Sequence, residues 1–324
     1  MFQRIRTIVV GVAAVDDQDP ASSPGGADPV LGPAVRLAAG LGAELHAVHA
    51  FQLPDAVLDA CARDRPGAGP PARAGYARRL EERLREQVER FPGGGAVRCH
   101  AMEVEGSAGE VLSAFAAGAG ADLLVVGASR RGRLWSGILG STAERTLVES
   151  AVPVLVLHHP LARPVRRVLL ATDLSGADAA VHRRGLDTVE ALWGSDRPVV
   201  RAVHVVGYDA LLPPPAPVPD MEAAALGELD RWVRELARAT PAVEPRVRVG
   251  DPAREVVYEA SEWGADLLVL GTHTQPDRPH RPLGSTSVAV IREASRNVLA
   301  VPAAAAVEAP ARAPVDVRRL LAGV

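Results

Sequence analysis

The chain has 324 residues, is 48% hydrophobic and 23% charged, and carries a formal net charge of −3. At ~150 residues per domain this suggests two real cores, excludes a disordered or fibrous chain, and makes nucleic acid a poor partner for want of a basic block. All 36 basic residues are arginine and none is lysine, which removes the amine that a Walker-type phosphate loop, a pyridoxal Schiff base and a kinase-like nucleotide site each need.

From the start, Arg4 and Arg6 precede an apolar run too short for a secretory leader, and no stretch approaches the ~18 apolar residues of a spanning helix, so a cytoplasmic location is expected. Strands are predicted at Thr7 to Val12, Glu44 to Phe51, Ala96 to Val104, Asp122 to Gly127 and Val152 to Leu157. A helix between them shows Tyr76, Leu80, Leu84 and Val88 on one face. The series then begins again, with strands predicted at Arg167 to Thr172, Val199 to Val206, Val243 to Val249, Asp266 to Gly271 and Val298 to Val301. Its matching helix shows Leu226, Leu229, Trp232, Val233 and Leu236. Cys61 and Cys99 cannot make a four-thiolate zinc site and give no reason to pair.

The repetition is literal. Gly120 to Gly127 and Gly264 to Gly271 differ at one position, and at the same offset Gly140-Ser141-Thr142 recurs as Gly284-Ser285-Thr286. Ile8 to Val12 matches Val168 to Thr172, and Ala47-Val48-His49 matches Ala202-Val203-His204. The expected organisation is two α/β domains in tandem, residues 1–159 and 160–302, with a poorly ordered tail at 303–324. Each is expected to be a doubly wound, five-stranded parallel sheet, with its ligand crevice between the first and fourth strands. The last strand of each copy is strongly apolar, and the two are expected to meet, pairing the domains as an internal pseudo-dimer.

In both copies the fourth strand ends at a glycine, and a loop then leads to Gly-Ser-Thr and a helix. Glycine admits close approach, serine can cap the helix, and free amides plus the helix dipole suit an anion. An ordinary helix start after a surface loop explains the same letters.

On these residues the chain resembles the universal stress protein family in its tandem form, over roughly residues 4–158 and 166–302, a fold of the adenine nucleotide alpha-hydrolase-like type. The family motif is Gly-x2-Gly-x9-Gly-Ser or Thr. The first copy shows Gly127, Arg130, Gly140 and Ser141, and the second Gly271, Thr274, Gly284 and Ser285, so the spacing is kept and the second glycine is lost in both. The resemblance implies an adenine nucleotide, ATP first, with an Asp at the end of the first strand and the main chain of the second holding adenosine. Asp173 and Val205 stand in those places in the second copy, whereas Ala13 replaces the Asp in the first. Around the phosphates the implied residues are Gly271, Thr274, Gly284, Ser285 and Thr286, with Gly127, Arg130, Gly140, Ser141 and Thr142 as their first-copy counterparts.

The reading is therefore a nucleotide-responsive regulatory or protective factor in stress response, with no catalytic residue, no metal, no membrane, and protein partners or a homodimer left open. Its rival is a structural or interaction protein of the same fold with vestigial crevices. A true hydrolase of the wider group would need further catalytic residues, and none stands out. His49 and His204 are expected as hydrogen-bonded sheet residues, and His158 and His159 as exposed linker residues. Arg131, Arg133 and Trp135 in the first glycine loop read as a solvated loop with one anchor. The histidines of the second loop, His273 and His280, lack a metal-ligand spacing, and Gln52 to Pro71 reads as a flap over the crevice.

Overall fold

The structure is a computed structural model; it describes residues 4–13, 29–53, 69–104, 106–128, 139–161, 165–175, 178–193, 198–207, 218–236, 242–272 and 284–303, with the side chains of 69–72 and 218–219 excepted. In chain order the first half runs β1 (Thr7–Gly11), α1 (Leu31–Leu41), β2 (Glu44–Phe51), α2 (Gly69–Glu89), a short 3-10 turn (Gly94–Ala96), β3 (Arg98–Glu103), α3 (Ala108–Gly118), β4 (Leu123–Gly127), α4 (Ser141–Glu149) and β5 (Val154–Leu157). The second half runs β6 (Arg167–Thr172), α5 (Asp178–Trp193), β7 (Val199–Gly207), α6 (Val218–Leu236), β8 (Val243–Gly250), α7 (Pro252–Glu262), β9 (Leu267–Gly271), α8 (Ser285–Glu293) and β10 (Asn297–Val301).

Among the described residues the strands form one ten-stranded sheet in the order β3-β2-β1-β4-β5-β10-β9-β6-β7-β8. Within each half all pairings are parallel. The order reverses between β1 and β4 and again between β6 and β9, the two switch points expected of doubly wound sheets. The apolar end strands do meet: β5 and β10 pair antiparallel, with Leu155 opposite Leu299.

Strand alternation sorts the core into two layers. Ile8, Val10, Leu123, Val125, Leu155, Val168, Leu170, Val269 and Leu299 face α1, α2, α5 and α6, while Val9, Leu124, Val126, Val156, Leu169, Leu268 and Val298 face α3, α4, α7 and α8. Both layers run across both halves. The helix stripes hold with one correction: Leu226 is 40% exposed, because the buried stripe of α6 is Ala225, Leu229, Trp232 and Leu236, a run from which Leu226 is displaced by one residue.

The repeated Gly-Ala-Asp has a structural cause. Gly120 and Gly264 take φ of 62° and 71°, the left-handed conformation that ends α3 and α7. Asp122 then accepts the backbone N–H groups of Arg6 (2.7 Å) and Thr7 (3.1 Å), and Asp266 those of Arg166 and Arg167 (both 2.9 Å). Each aspartate thus aligns the start of its fourth strand with the start of its first, which sets the register of the switch point. α3 opens with a capping box between Ser107 and Glu110, and α7 with Asp251 accepting from the Arg254 N–H at 3.0 Å.

Candidate functional site

The second half's crevice is built at the carboxyl ends of β6 and β9. β6 stops at Thr172, opposite His204, so Val205 on β7 lies one residue beyond the end of its neighbour. Asp173 follows at the surface, its Oδ1 accepting the Ser175 N–H at 2.9 Å. Beside it, β9 ends at Gly271, whose carbonyl accepts the Ser287 hydroxyl at 2.9 Å. That bond ties the first turn of α8 to the end of β9. Gly284, Ser285 and Thr286 are exposed there.

Serine does not cap either helix. Gly140 and Gly284 occupy the N-cap positions, Ser141 and Ser285 are the first helical residues, and neither cap makes a side-chain hydrogen bond. The cause is the glycine itself, which supplies the extended cap backbone but has no side chain to bond. The first amides of both helices thus lack a side-chain cap.

The first half repeats this frame with different chemistry. Ala13, exposed, stands where Asp173 stands. A Cβ on Gly127 would lie 2.9 Å from Val30 Cγ2, so Val30 would have to shift to admit a side chain there. Gly140 donates its N–H to the Ala128 carbonyl at 2.7 Å, and Thr142 offers its carbonyl to the Thr146 hydroxyl at 2.8 Å. Glu144 occupies the first turn of α4, whereas the first turn of α8 holds no acid. A carboxylate at a helix N-terminus opposes a second anion there, a repulsion that the first turn of α8 does not present.

The sheet histidines behave alike: His49 Nδ1 lies 3.0 Å from the Val12 carbonyl and His204 Nδ1 3.0 Å from the Thr172 carbonyl. His158 departs from expectation. It is 9% exposed and burial pushes its pKa down to about 4, because Asn297 Oδ1 accepts the N–H groups of His158 (2.9 Å) and His159 (3.2 Å) and draws the linker into the seam. Burial raises the Cys99 thiol to about 11, which keeps it unreactive. Arg130, Thr274, Arg131, Arg133, Trp135, Cys61, His273 and His280 lie outside the described residues, as do 54–68 of the expected flap and 304–324 of the tail. Among the described residues no three His, Cys, Asp or Glu side chains gather to hold a metal, and no helix is long and apolar enough to cross a membrane.

The model of the universal stress protein family matches residues 5–158 and again residues 164–302. This chain belongs to that family. It is a tandem universal stress protein, two family domains in one polypeptide. A universal stress protein of Mycobacterium tuberculosis (strain ATCC 25618 / H37Rv) is 29% identical over 187 residues, covering 54% of this chain and 59% of the relative. Another, from Mycobacterium bovis (strain ATCC BAA-935 / AF2122/97), matches with the same identity and coverage. The chain thus spans less than two thirds of the length of these relatives. Among solved structures, a functionally unknown protein of Pseudomonas aeruginosa PAO1 shares the fold at TM-score 0.58 and 16% identity over 94% of both chains.

Sequence reasoning missed one feature of this universal stress protein's second crevice. Thr172, Asp178 and His182 form a buried polar chain beneath Asp173. The signal was present as an acid and a histidine four residues apart, hence on one helix face, at the start of the helix after the first strand.

Proposed function

We propose that this universal stress protein binds an adenine nucleotide, ATP first, in its second-half crevice and acts in the cytoplasm as a ligand-responsive regulatory or protective factor without meaningful turnover. What carries the reading is the coincidence, at one switch point, of an exposed carboxylate after the first strand with a helix N-terminus free of side-chain caps and of acidic residues. Asp173 would accept the ribose hydroxyls, the main chain at Val205 would meet the adenine edge, and Gly271 would allow close approach. The amides of Gly284, Ser285 and Thr286 would face the phosphates, with Thr274 beside them. In the first half, Ala13 and Glu144 favour the rival reading, in which the frame at Gly127, Gly140, Ser141 and Thr142 is kept as packing and binds no nucleotide.

Calorimetric titration of the full chain with ATP tests this. One saturable site per chain is expected, lost in Asp173→Ala and in Gly284→Val. The latter is a clean probe, since among the described residues a Cβ at Gly284 meets only Ser287 Oγ, at 3.8 Å. No heat at millimolar ATP overturns the proposal, and a phosphate-release rate abolished by Asp173→Ala would make the protein an enzyme.

A further inference from the structure

Beneath the second crevice lies a polar cluster that the nucleotide contacts leave unused. Asp178 and His182, at 1% and 0% exposure, sit one turn apart at the start of α5. His182 Nδ1 lies 3.1 Å from Asp178 Oδ1 and 2.9 Å from the Asp178 carbonyl, and Nε2 lies 2.9 Å from the Ala171 carbonyl. Both ring nitrogens therefore face only acceptors. A neutral imidazole has a single N–H and would leave its other nitrogen lone pair against an oxygen lone pair, so the geometry calls for the imidazolium. Burial works against that cation, and the Asp178 carboxylate in contact with it prevails, raising the His182 pKa above its ordinary value. Asp178 is the charged group acting on the ring among the described residues; β6 contributes the Ala171 carbonyl, and α6 the Trp232 ring, with centroids 5.2 Å apart and planes at 80°.

The chain of contacts continues to the surface. The other carboxylate oxygen, Asp178 Oδ2, accepts the Thr172 hydroxyl, and Thr172 Oγ1 in turn accepts the Leu174 N–H at 3.0 Å. Leu174 has φ of 60° and is the one non-glycine residue in the left-handed region among the described residues. A branched side chain adopts that conformation only under constraint. In the first half Val12 replaces Thr172 and Ala13 replaces Asp173, so the bridging hydroxyl and the surface carboxylate are absent together.

We propose that Asp178 and His182 are positioning residues, a buried imidazolium–carboxylate pair that acts through the Thr172 hydroxyl to lock Leu174 in its left-handed turn and thereby aim Asp173 into the crevice. The aim of Asp173 at a nucleotide rests on the function proposed above; the lock itself does not. Because the folded pKa of His182 lies above the unfolded value, the lock is complete below pH ~6.5 and is lost as pH rises through the folded value. The second crevice thus loosens as pH rises through that value.

Two ligand-free measurements test the lock in the full chain. In protein labelled with 15N at histidine, His182 is expected to keep both ring nitrogens protonated to a higher pH than free histidine; a neutral-tautomer pattern at pH 6.5 overturns the pair. Native-state exchange of the Leu174 amide is expected to lose at least tenfold of its protection in His182→Gln. The same loss is expected in Thr172→Val, which removes the bridge while installing the residue that the first half already tolerates at Val12. Protection unchanged within twofold in Thr172→Val overturns the lock, even where His182→Gln fails to fold. ATP titrations of the wild type from pH 6 to 10 then separate the two claims. Affinity falling with pH in the wild type, and flat in Thr172→Val, supports the lock as a device of the nucleotide site. Leu174 protection lost in Thr172→Val with no ATP heat at any pH supports the lock and overturns the nucleotide function alone.

Discussion

His100 Nε2 lies 3.0 Å from His46 Nδ1, and His46 Nε2 lies 3.1 Å from Glu44, so His46 donates to the acid and accepts from His100. Protonation of His46 at Nδ1 would break this order. Burial pushes His100 down to about 4, with His46 and Arg98 acting in the same direction, and burial likewise holds His158 at about 4. In the unfolded chain both titrate near 6.5, so between these values the unfolded state binds more protons and stability falls as pH falls. Between pH 7 and 5 the expected loss is about 1–2 kcal/mol per histidine, discounted for the partial exposure of His100. Urea unfolding at the two pH values measures it, and His100→Gln should shrink the difference by about 1 kcal/mol; an undiminished difference assigns the acid sensitivity elsewhere. The places matched to His46, His100, Met102 and Phe115 hold Arg201, Arg246, Arg248 and Glu259 in the second half. There Glu259, 1% exposed, accepts from Arg201 at 2.7 Å and Arg248 at 2.5 Å, and Arg201 lies over the Trp263 ring at 4.5 Å. Glu259→Ala removes the buried carboxylate shared by the two guanidinium groups, leaving Arg201 to Glu244 and Arg248 to Glu255 and Glu262, and should cost about 2–3 kcal/mol, whereas replacing the four residues together by their first-half counterparts should restore most of it. Chemical denaturation of both variants decides; equal losses would mean that the charges do not act as a unit.

One close helix contact of the first half depends on a glycine that the second half lacks. A Cβ on Gly109 of α3 would lie 2.6 Å from the Thr146 amide nitrogen and 2.7 Å from the Thr142 carbonyl of α4, both backbone atoms that cannot swing aside. The matching place on α7 is Ala253, 7% exposed. Gly109→Ala is therefore expected to destabilise by about 1–3 kcal/mol despite alanine's better helix propensity. A thermal melt reads this directly, and a rise in midpoint would mean that α4 is free to move away. This contrast also shows what sequence can carry. Strand positions were legible because apolar runs bounded by glycine and charge leave few alternatives: Glu44–Phe51 and Arg167–Thr172 are predicted to the residue. The 3-10 turn at Gly94–Ala96 shortened β3 without an apolar signal to announce it. Of the candidate site, the frame at Asp173, Gly271 and Gly284 was visible as spacing. The caps were misread because a serine next to a glycine looks like a cap in either register. The Thr172, Asp178 and His182 chain went unseen because burial of a polar trio depends on the fold around it, and polarity alone suggests a surface.

At the scale of the whole molecule, the decisive element is the seam between β5 and β10. Val154, Leu155, Val156, Val298, Leu299 and Ala300 are at most 1% exposed, and both core layers continue through them from one half into the other. Separating the halves would bare two apolar strand edges and cut both cores, which water strongly opposes. Asn297, the chain's single asparagine, adds polar specificity by receiving two backbone N–H groups at the end of β5. Pro302 follows β10 where His158 follows β5, so this polar clasp is made on one side of the seam only. The expected consequence is a single cooperative unfolding transition for the described core, with calorimetric and van't Hoff enthalpies in agreement. Residues 1–159 and 160–324 made separately should associate with each other or aggregate, and mixing them should restore the native near-ultraviolet signal. Asn297→Ala should weaken that association by about 1–3 kcal/mol, the cost of leaving buried N–H groups without an acceptor. Two halves that stay monomeric, folded and indifferent to each other would show that the seam contributes nothing to stability, and the second crevice would then have to function on a domain that stands alone.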